Sequence, residues 1–359
     1  MTGVEYRSRL RDIPEYPAAS TYSHGDGLVM LASNEPPWGP PPAAIAAIQG
    51  QLEALNRYPD PDKSLLRRRL ADRTGVPPGR VVVGNGSCEI LLAAGDALLE
   101  PGAELVYAWP SFSMYPHLAA QSGARAIPVP LDDDGRHDLD AMAAEVTAAT
   151  RLVLVCNPNN PTATALPVEE IEAFVTSLPR HLAVILDEAY IEFSVLQDPD
   201  DSVDLVARHP NLVLLRTFSK VYGLAGLRAG YALAGSEDFR RAVDRVRQPF
   251  SMNVLAQAAA AEAIGQQDEV ERRVERTVGE RVQVEAELAE RGLETTESQA
   301  NFAWVALGDR DEAAIVDGLA ERGVIVRAGK ALGQEGFMRV TFGAPRENER
   351  FLAALDELL

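Results

Sequence analysis

Short apolar runs alternate with helical segments through the middle of this chain, and no other feature of the sequence constrains its fold as strongly. The apolar runs lie at residues 81–83, 104–107, 152–156, 182–186, 211–216 and 228–234, and helical spacing recurs at 138–148 and 168–177. Buried strands that are separated by helices require a parallel or mixed sheet covered on both faces. The sequence therefore predicts an α/β fold with a mostly parallel sheet between helices.

The alternation stops after Pro249. A helical stretch rich in Glu and Arg covers residues 256–291, and shorter apolar segments follow at 301–306, 324–327 and 338–342. These segments predict a second, smaller α+β domain. We therefore divide the chain into an N-terminal arm (1–40) that packs on the small domain or on a partner, a large domain (41–248) and a small C-terminal domain (249–359).

The composition excludes several classes of protein. Apolar residues make up 46% of the 359 residues and charged residues 24%, as in ordinary globular proteins. With 34 basic against 53 acidic residues, the net charge of −19 opposes binding to a nucleic-acid backbone. No apolar run approaches the ~20 residues that span a bilayer and no signal-peptide core begins the chain, so we expect a cytoplasmic protein. Cys88 and Cys156 lack the spacing of a disulfide framework or a metal site, and we expect no bound metal.

Polar residues follow each apolar run, and this is where ligands bind in open α/β sheets. The run 81–83 leads into a glycine-rich turn at 84–89 and a helix, which either binds an anion such as a phosphate or is only a tight turn. Residues 157–162 are rich in Asn and Pro and by themselves indicate a loop. Asp187 leaves a buried strand and needs a cationic partner there, unless it caps the next helix.

Lysine is scarce, so a mechanism that depends on a lysine has three candidates: Lys63, Lys220 and Lys330. Lys220 follows the run 211–216 in a glycine-rich stretch, where partial burial lowers the pKa of an amine and favours Schiff-base chemistry. An isolated lysine is more often a solvated surface charge. Here four successive strand ends direct polar groups toward one crevice, and this favours the functional interpretation.

A lysine, a buried carboxylate, a phosphate cup, hydroxyl and amide donors and an aromatic ring together match the needs of pyridoxal 5′-phosphate. The sequence also resembles the fold-type-I aminotransferases, and most closely the histidinol-phosphate aminotransferase family, over nearly its whole length. The matching segments are Ser33-Asn34-Glu35, Arg57-Tyr58-Pro59, Pro110-Ser111-Phe112 with Tyr115, 156–162, Asp187-Glu188-Ala189-Tyr190, 216–228, 298–302 and Arg339-Val340-Thr341 with Gly343.

The resemblance implies a role for each matching residue of the cofactor site. Lys220 would bind the cofactor covalently and then move the proton of the substrate, and Asp187 would pair with the ring nitrogen. Tyr190 and Asn160 would donate to the phenolate oxygen, and Phe112 would stack on the ring. The phosphate would be held by Ser87, the backbone N–H of Cys88, Ser219, Arg228 and, across a homodimer interface, Tyr58 of the partner subunit.

The resemblance also implies substrate contacts and shows two departures. Arg339 would bind the carboxylate of the substrate, with Arg327, Asn34 and Tyr16 lining the pocket. The family usually has Asp or Asn where this chain has Cys88, and Gly where this chain has Ala163. A main-chain role at position 88 would tolerate cysteine, and a reactive thiol there is the weaker alternative.

Several activities share these motifs. The expected reaction is transamination between histidinol phosphate and 2-oxoglutarate in histidine biosynthesis, and the alternative is an aminotransferase for aromatic amino acids such as phenylalanine. A threonine-phosphate decarboxylase or a non-catalytic cofactor-binding protein is less favoured. Pocket shape decides among the first three, because it sets which bond of the substrate Cα stands perpendicular to the ring.

Overall fold

The computed structural model describes residues 3–6, 8–15 and 27–359. Its strands are β1 (Val29–Met30), β2 (Val81–Gly84), β3 (Glu104–Trp109), β4 (Arg125–Pro130), β5 (Thr150–Cys156), β6 (Ala183–Asp187), β7 (Leu212–Thr217), β8 (Gly230–Ala234), β9 (Glu294–Thr295), β10 (Phe302–Ala306), β11 (Val324–Ile325), β12 (Arg327–Ala328) and β13 (Phe337–Thr341). Its helices are α1 (Pro42–Gln49), α2 (Ser64–Thr74), α3 (Ser87–Leu98), α4 (Tyr115–Ser122), α5 (Leu139–Ala144), α6 (Val168–Ser177), α7 (Val203–Arg208), α8 (Glu237–Val246), α9 (Val254–Ala263), α10 (Gln267–Glu290), α11 (Glu312–Glu321) and α12 (Pro345–Asp356).

A seven-stranded mixed sheet forms the centre of the molecule, in the order β2-β8-β7-β6-β5-β3-β4. Strands β3 to β7 are parallel to their neighbours within this set, whereas β8 runs antiparallel to both β7 and β2. Buried apolar clusters cover the two faces, because the inner strands carry apolar residues at nearly every position. This architecture confirms the predicted α/β class.

Strand β4 was not predicted from the sequence. It lies at the edge of the sheet, and its residues alternate between exposed and buried positions toward its end. Pro128 and Pro130 fall within it, and proline is tolerated there because an edge strand leaves one row of backbone groups unpaired. Sequence periodicity recognises a fully buried run more readily than such an edge.

A second, antiparallel sheet has the order β12-β13-β10-β9, and β1 pairs in parallel with β11 beside it. The predicted helix 256–291 is wrong as a single element, because the chain turns at Gly265 between α9 and α10. Alanines of α9 are buried against the core of the large sheet, and α9 packs on α1 and α2. The division of the chain at residue 248 stays a prediction.

The described ranges contain neither a candidate membrane span nor a candidate metal cluster. None of their helices combines the length and apolar character needed to cross a bilayer. Nowhere in these ranges do three or more His, Cys, Asp or Glu side chains gather in a way that could hold a metal ion.

Candidate active site

A cavity of about 320 Å³ opens at the carboxyl ends of β5, β6 and β7 and at the start of α3. Nine of the ten residues predicted to hold the cofactor line it: Ser87, Cys88, Phe112, Asn160, Asp187, Tyr190, Ser219, Lys220 and Arg228. Parallel strands end at one edge of the sheet, so residues far apart in sequence meet there. The tenth, Tyr58, lies outside this wall.

Lys220 follows β7 and reaches into the cavity. Its Nζ donates a hydrogen bond to the carbonyl oxygen of Ser33 at 2.9 Å and lies 5.6 Å from the centroid of the Tyr190 ring. Burial, together with the charges of Arg339 and Arg228, lowers the pKa of Lys220 to about 7. A substantial fraction of this amine is therefore uncharged at neutral pH, which is the nucleophilic form.

Asp187 ends β6 and is only 3% exposed. Its Oδ2 accepts a hydrogen bond from the Tyr115 hydroxyl at 3.1 Å, whereas its Oδ1 has no partner within the described residues. Burial raises the pKa of Asp187 to about 7, an effect that the Tyr115 hydroxyl and the nearby backbone N–H of Ala189 oppose. Asp187 is not a helix cap, since the next helical turn is a 3-10 helix at Ile191–Phe193 that begins after Tyr190. A buried oxygen without a donor indicates a place for a ligand donor.

Tyr190 and Asn160 form another part of the wall. The hydroxyl of Tyr190 accepts a hydrogen bond from Asn34 Nδ2 at 3.0 Å, and Oδ1 of Asn160 accepts one from Arg339. Because both oxygens already accept a hydrogen bond, the O–H of Tyr190 and the Nδ2 group of Asn160 are left to donate to other acceptors. Burial raises the pKa of Tyr190, so its phenol stays protonated.

The glycine-rich turn before α3 forms a tight cradle. Gly86 has φ +81°, and a Cβ there would approach Arg228 Nη2 to 2.8 Å. A Cβ on Gly230 would lie 2.3 Å from the backbone nitrogen of Ser87, so the two backbones pack directly. Ser219 adds a hydroxyl that accepts from Thr217 at 2.9 Å. Backbone N–H groups at a helix start beside a guanidinium fit an anion such as a phosphate.

Arg339 and Arg327 are buried on adjacent strands of the small sheet, 6% and 8% exposed. They are Cα partners across β12 and β13, so both side chains leave the same face of the sheet. Arg339 also donates to the carbonyl oxygen of Ala32 at 2.6 Å, and its guanidinium carbon lies 5.3 Å from the Phe302 ring centroid. Two guanidiniums side by side fit an anionic substrate.

Comparison with known proteins agrees with this geometry. A family model described as "Aminotransferase class I and II" matches residues 26–355.

The chain belongs to the class I and II aminotransferases.

It is 44% identical over 335 residues to histidinol-phosphate aminotransferase 1 of Cupriavidus pinatubonensis, which covers 93% of this chain and 89% of that protein. It is also 44% identical over 349 residues to an aromatic amino acid aminotransferase of Thermobifida fusca, which covers 96% and 95%. A crystal structure of histidinol-phosphate aminotransferase from Sinorhizobium meliloti in complex with pyridoxal 5′-phosphate superposes with a TM-score of 0.84 at 30% identity, covering 92% of this chain and 90% of that one. Enzymes of this class depend on pyridoxal 5′-phosphate.

Tyr58 and Asn34, two other residues predicted for the site of this aminotransferase, are not among the residues that line the cavity. Tyr58 is 81% exposed, and its ring stacks on Phe250 with centroids 4.6 Å apart. Asn34, predicted as a substrate contact, is 1% exposed with φ +55°, and its side chain contacts Tyr190 and Thr341. Tyr16 falls outside the described residues. The substrate roles of Asn34 and Tyr16 stay predictions.

The two departures from the family pattern have a structural context. Cys88 is the second residue of α3, and burial, with the charge of Asp187, raises the pKa of its thiol. This direction disfavours the reactive-thiolate alternative. Ala163 is fully buried and has φ +62°, a left-handed conformation that glycine adopts without strain.

Residues of the aminotransferase site that sequence reasoning left without a role are Ser33, Glu35 and Tyr115. Ser33 supplies the acceptor for Lys220, and Glu35 lines the cavity and raises the pKa of Lys220 against the larger effect of burial. Tyr115 supplies the donor for Asp187. One signal was present for Tyr115: a buried carboxylate needs a donor, and this tyrosine lies within a matching motif.

Proposed function

We propose that this aminotransferase binds pyridoxal 5′-phosphate in the 320 Å³ cavity and transfers the amino group of histidinol phosphate to 2-oxoglutarate. Two observations support the cofactor. Asp187 Oδ1 is buried without a hydrogen-bond donor among the described residues, and the glycine-rich start of α3 packs so closely beside the Arg228 guanidinium that a Cβ on Gly86 would clash with it. When bound, the cofactor supplies an electron sink that accepts the pair released from the substrate Cα–H bond.

Lys220 is the proposed covalent anchor, and later the base and acid. Its amine is uncharged in part at neutral pH, which suits attack on an aldehyde and then removal of a proton from Cα. Amino transfer would then need the proton to return on the other side of the carbon–nitrogen bond and water to release the oxo product, which leaves the nitrogen for 2-oxoglutarate to accept by the reverse steps. Borohydride reduction of the holoenzyme followed by peptide mapping should find the cofactor on Lys220, and finding it on Lys63 or Lys330 would overturn this assignment.

Other side chains hold the cofactor and tune it. Asp187 would be the anionic partner of the ring nitrogen, which favours the protonated ring. Tyr190 and Asn160 would donate to the phenolate oxygen with the hydrogens that their own acceptor contacts leave available. Ser87, Ser219, Arg228 and the N–H of Cys88 would hold the phosphate, and Phe112 would stack on the ring.

The substrate proposal rests on Arg327 and Arg339, the two buried guanidiniums on one sheet face. Histidinol phosphate carries a phosphate and 2-oxoglutarate carries two carboxylates, so each substrate of the proposed reaction brings an anionic group. Guanidinium forms bidentate contacts with carboxylate and phosphate alike. A pair of guanidiniums of this kind can accept each substrate in turn.

The alternative is an aromatic amino acid aminotransferase, because a relative of that name is as similar as the histidinol-phosphate relative. Steady-state kcat/KM with histidinol phosphate and with phenylalanine, each against 2-oxoglutarate, separates the two. A histidinol phosphate value at least about tenfold higher supports the proposal, since tenfold is ~1.4 kcal/mol of transition-state binding. The reverse ratio favours the alternative, and release of carbon dioxide from threonine phosphate favours a decarboxylase.

We also propose a homodimer in which Tyr58 reaches the phosphate of the partner subunit. Leu52, Leu55, Tyr58, Val246 and Phe250 are all exposed apolar residues, and such patches mark interfaces. Mixing Lys220→Ala subunits with Tyr58→Phe subunits tests this. Each mixed dimer contains one intact site, so activity at limiting cofactor should rise to about a quarter of wild type. No rise on mixing would place the role of Tyr58 within its own subunit or abolish it.

The proposed location is the cytoplasm. Cys88 and Cys156 are both free thiols, which suits a reducing compartment. Fractionation of cells that express the untagged protein, with a cytoplasmic and a membrane marker, is the direct test, and recovery in the membrane fraction would contradict it.

A further inference from the structure

Tyr115, which donates a hydrogen bond to Asp187, is held in place by its surroundings. Tyr115 is the first residue of α4 and is fully buried, and its hydroxyl donates to Asp187 Oδ2 at 3.1 Å. Its ring packs edge-on against Tyr107 and Phe112, with centroids 6.1 Å and 5.7 Å away. Packing on two sides fixes where the hydroxyl lies, so the hydrogen bond is built into the fold.

Only one proton arrangement suits this contact. Burial and the nearby charge of Asp187 raise the pKa of Tyr115 well above its ordinary value, so the phenol keeps its proton and acts as the donor. The hydrogen bond stabilises the ionised form of Asp187 against burial, which favours the neutral form. It also occupies Oδ2, which leaves Oδ1 as the oxygen available to a ligand donor.

We propose that Tyr115 is a positioning residue that keeps Asp187 anionic and presents Oδ1 to the ring nitrogen of the cofactor. This inference rests on the proposed function, because it needs pyridoxal 5′-phosphate in the cavity. Tyr115 touches neither the ring nor the substrate in this role and acts through Asp187 alone. The consequence is specific: loss of its hydroxyl should lower the affinity of the ring nitrogen for its proton.

The test compares Tyr115→Phe with Tyr107→Phe. Tyr107 is a matched control, since it is also a buried tyrosine that packs on Tyr115, and among the described residues it makes no hydrogen bond to Asp187. Holoenzymes are reconstituted with cofactor labelled with ¹⁵N in the ring, and the ¹⁵N chemical shift is followed against pH. We expect Tyr115→Phe to lower the pKa of the ring nitrogen by about one unit and to weaken cofactor binding about tenfold. Tyr107→Phe should change the protonation constant of the ring nitrogen and the cofactor affinity by no more than about twofold each.

A double-mutant cycle with Asp187→Asn separates positioning from packing. If Tyr115 acts through Asp187, Tyr115→Phe should have no further effect on the ring nitrogen in an Asp187→Asn background. Equal effects of Tyr115→Phe and Tyr107→Phe, or an unchanged effect without Asp187, would overturn the inference. Wild type that fails to bind the cofactor would instead refute the proposed function.

A crystal structure of the cofactor-bound wild-type protein gives an answer that does not depend on a variant folding. The Tyr115 hydroxyl should remain within hydrogen-bond distance of the Asp187 oxygen that faces away from the ring. A hydroxyl turned to the nearby thiol of Cys156, which already lies within its reach, would contradict the inference.

Discussion

The floor of the cavity, which includes Asp187 and Lys220, differs in construction from the neighbouring region around Arg339, which we propose to bind substrate and call the wall. Floor groups from the large sheet, above all Asp187 and Lys220, are buried with strongly shifted pKa values, and Asp187 Oδ1 has no protein donor within the described residues. The wall around Arg339 is internally bonded, to Asn160 and to the carbonyl of Ala32. The floor therefore depends on a ligand to complete it, whereas the wall must exchange existing contacts when a substrate arrives.

The largest effect should come from the floor, with Lys220→Ala. Removal of the amine eliminates both the covalent anchor and the base, so kcat should fall at least about 10³-fold. The matched control is Lys330→Ala, because Lys330 is exposed and pairs only with Glu335 in the described contacts. Turnover by Lys220→Ala close to that of Lys330→Ala would refute the role of Lys220.

Asp187→Asn should show opposite effects on activity and stability. Without the anion the cofactor ring loses its partner, and we expect kcat to fall about 10²-fold or more. In the cofactor-free protein burial raises the pKa of Asp187 to about 7 from 3.8. The folded state therefore holds a proton that the unfolded state has lost, and the stability from this group declines as pH rises from about 4 through 7.

Thermal unfolding of cofactor-free Asp187→Asn against wild type measures this directly. The variant should match wild type near pH 4 and be more stable at pH 8, where wild type buries a charge. A variant that is less stable than wild type at pH 8 would show that a protein cation compensates Asp187, and the contrast between floor and wall would then fail.

The wall should give a smaller and more selective effect. Arg339→Lys keeps the charge but loses the planar fork, so KM for 2-oxoglutarate should rise about tenfold, with little change in cofactor affinity. Arg327→Lys should raise KM most for the phosphate-bearing donor. Equal losses of cofactor affinity and substrate affinity in both variants would mean that floor and wall form one unit.

The smallest effect is expected at Ala163, a buried residue whose N–H donates to Asn159 and whose carbonyl accepts from Gln299. Ala163→Gly relieves a left-handed backbone at φ +62° but removes a buried methyl group and adds freedom to the unfolded chain. These effects oppose one another, so the free energy of unfolding should change by less than about 1 kcal/mol. Urea unfolding measures it, and a larger gain would show that the strain dominates.

Much of the floor could be predicted because it depends on local order. Buried parallel strands appear as apolar runs, and the residue after each run must lie at the ligand edge of the sheet, so Asp187 and Lys220 were identified with their surroundings. Edge strand β4 and the break at Gly265 were missed, since prolines mask the first and continuous helical composition hides the second.

The sequence by itself determined the α/β class, the strand-end positions of the chemistry and the family, because periodicity and motif order are properties of the chain. Only the tertiary structure decided which polar atoms are satisfied. Asn34 contacts Tyr190 across 156 positions and Arg339 contacts Asn160 across 179. Tyr115 reaches Asp187 across 72. Such pairings follow from how helices and sheets pack, and hydrogen-bond direction and pKa shifts exist only once burial has removed the water.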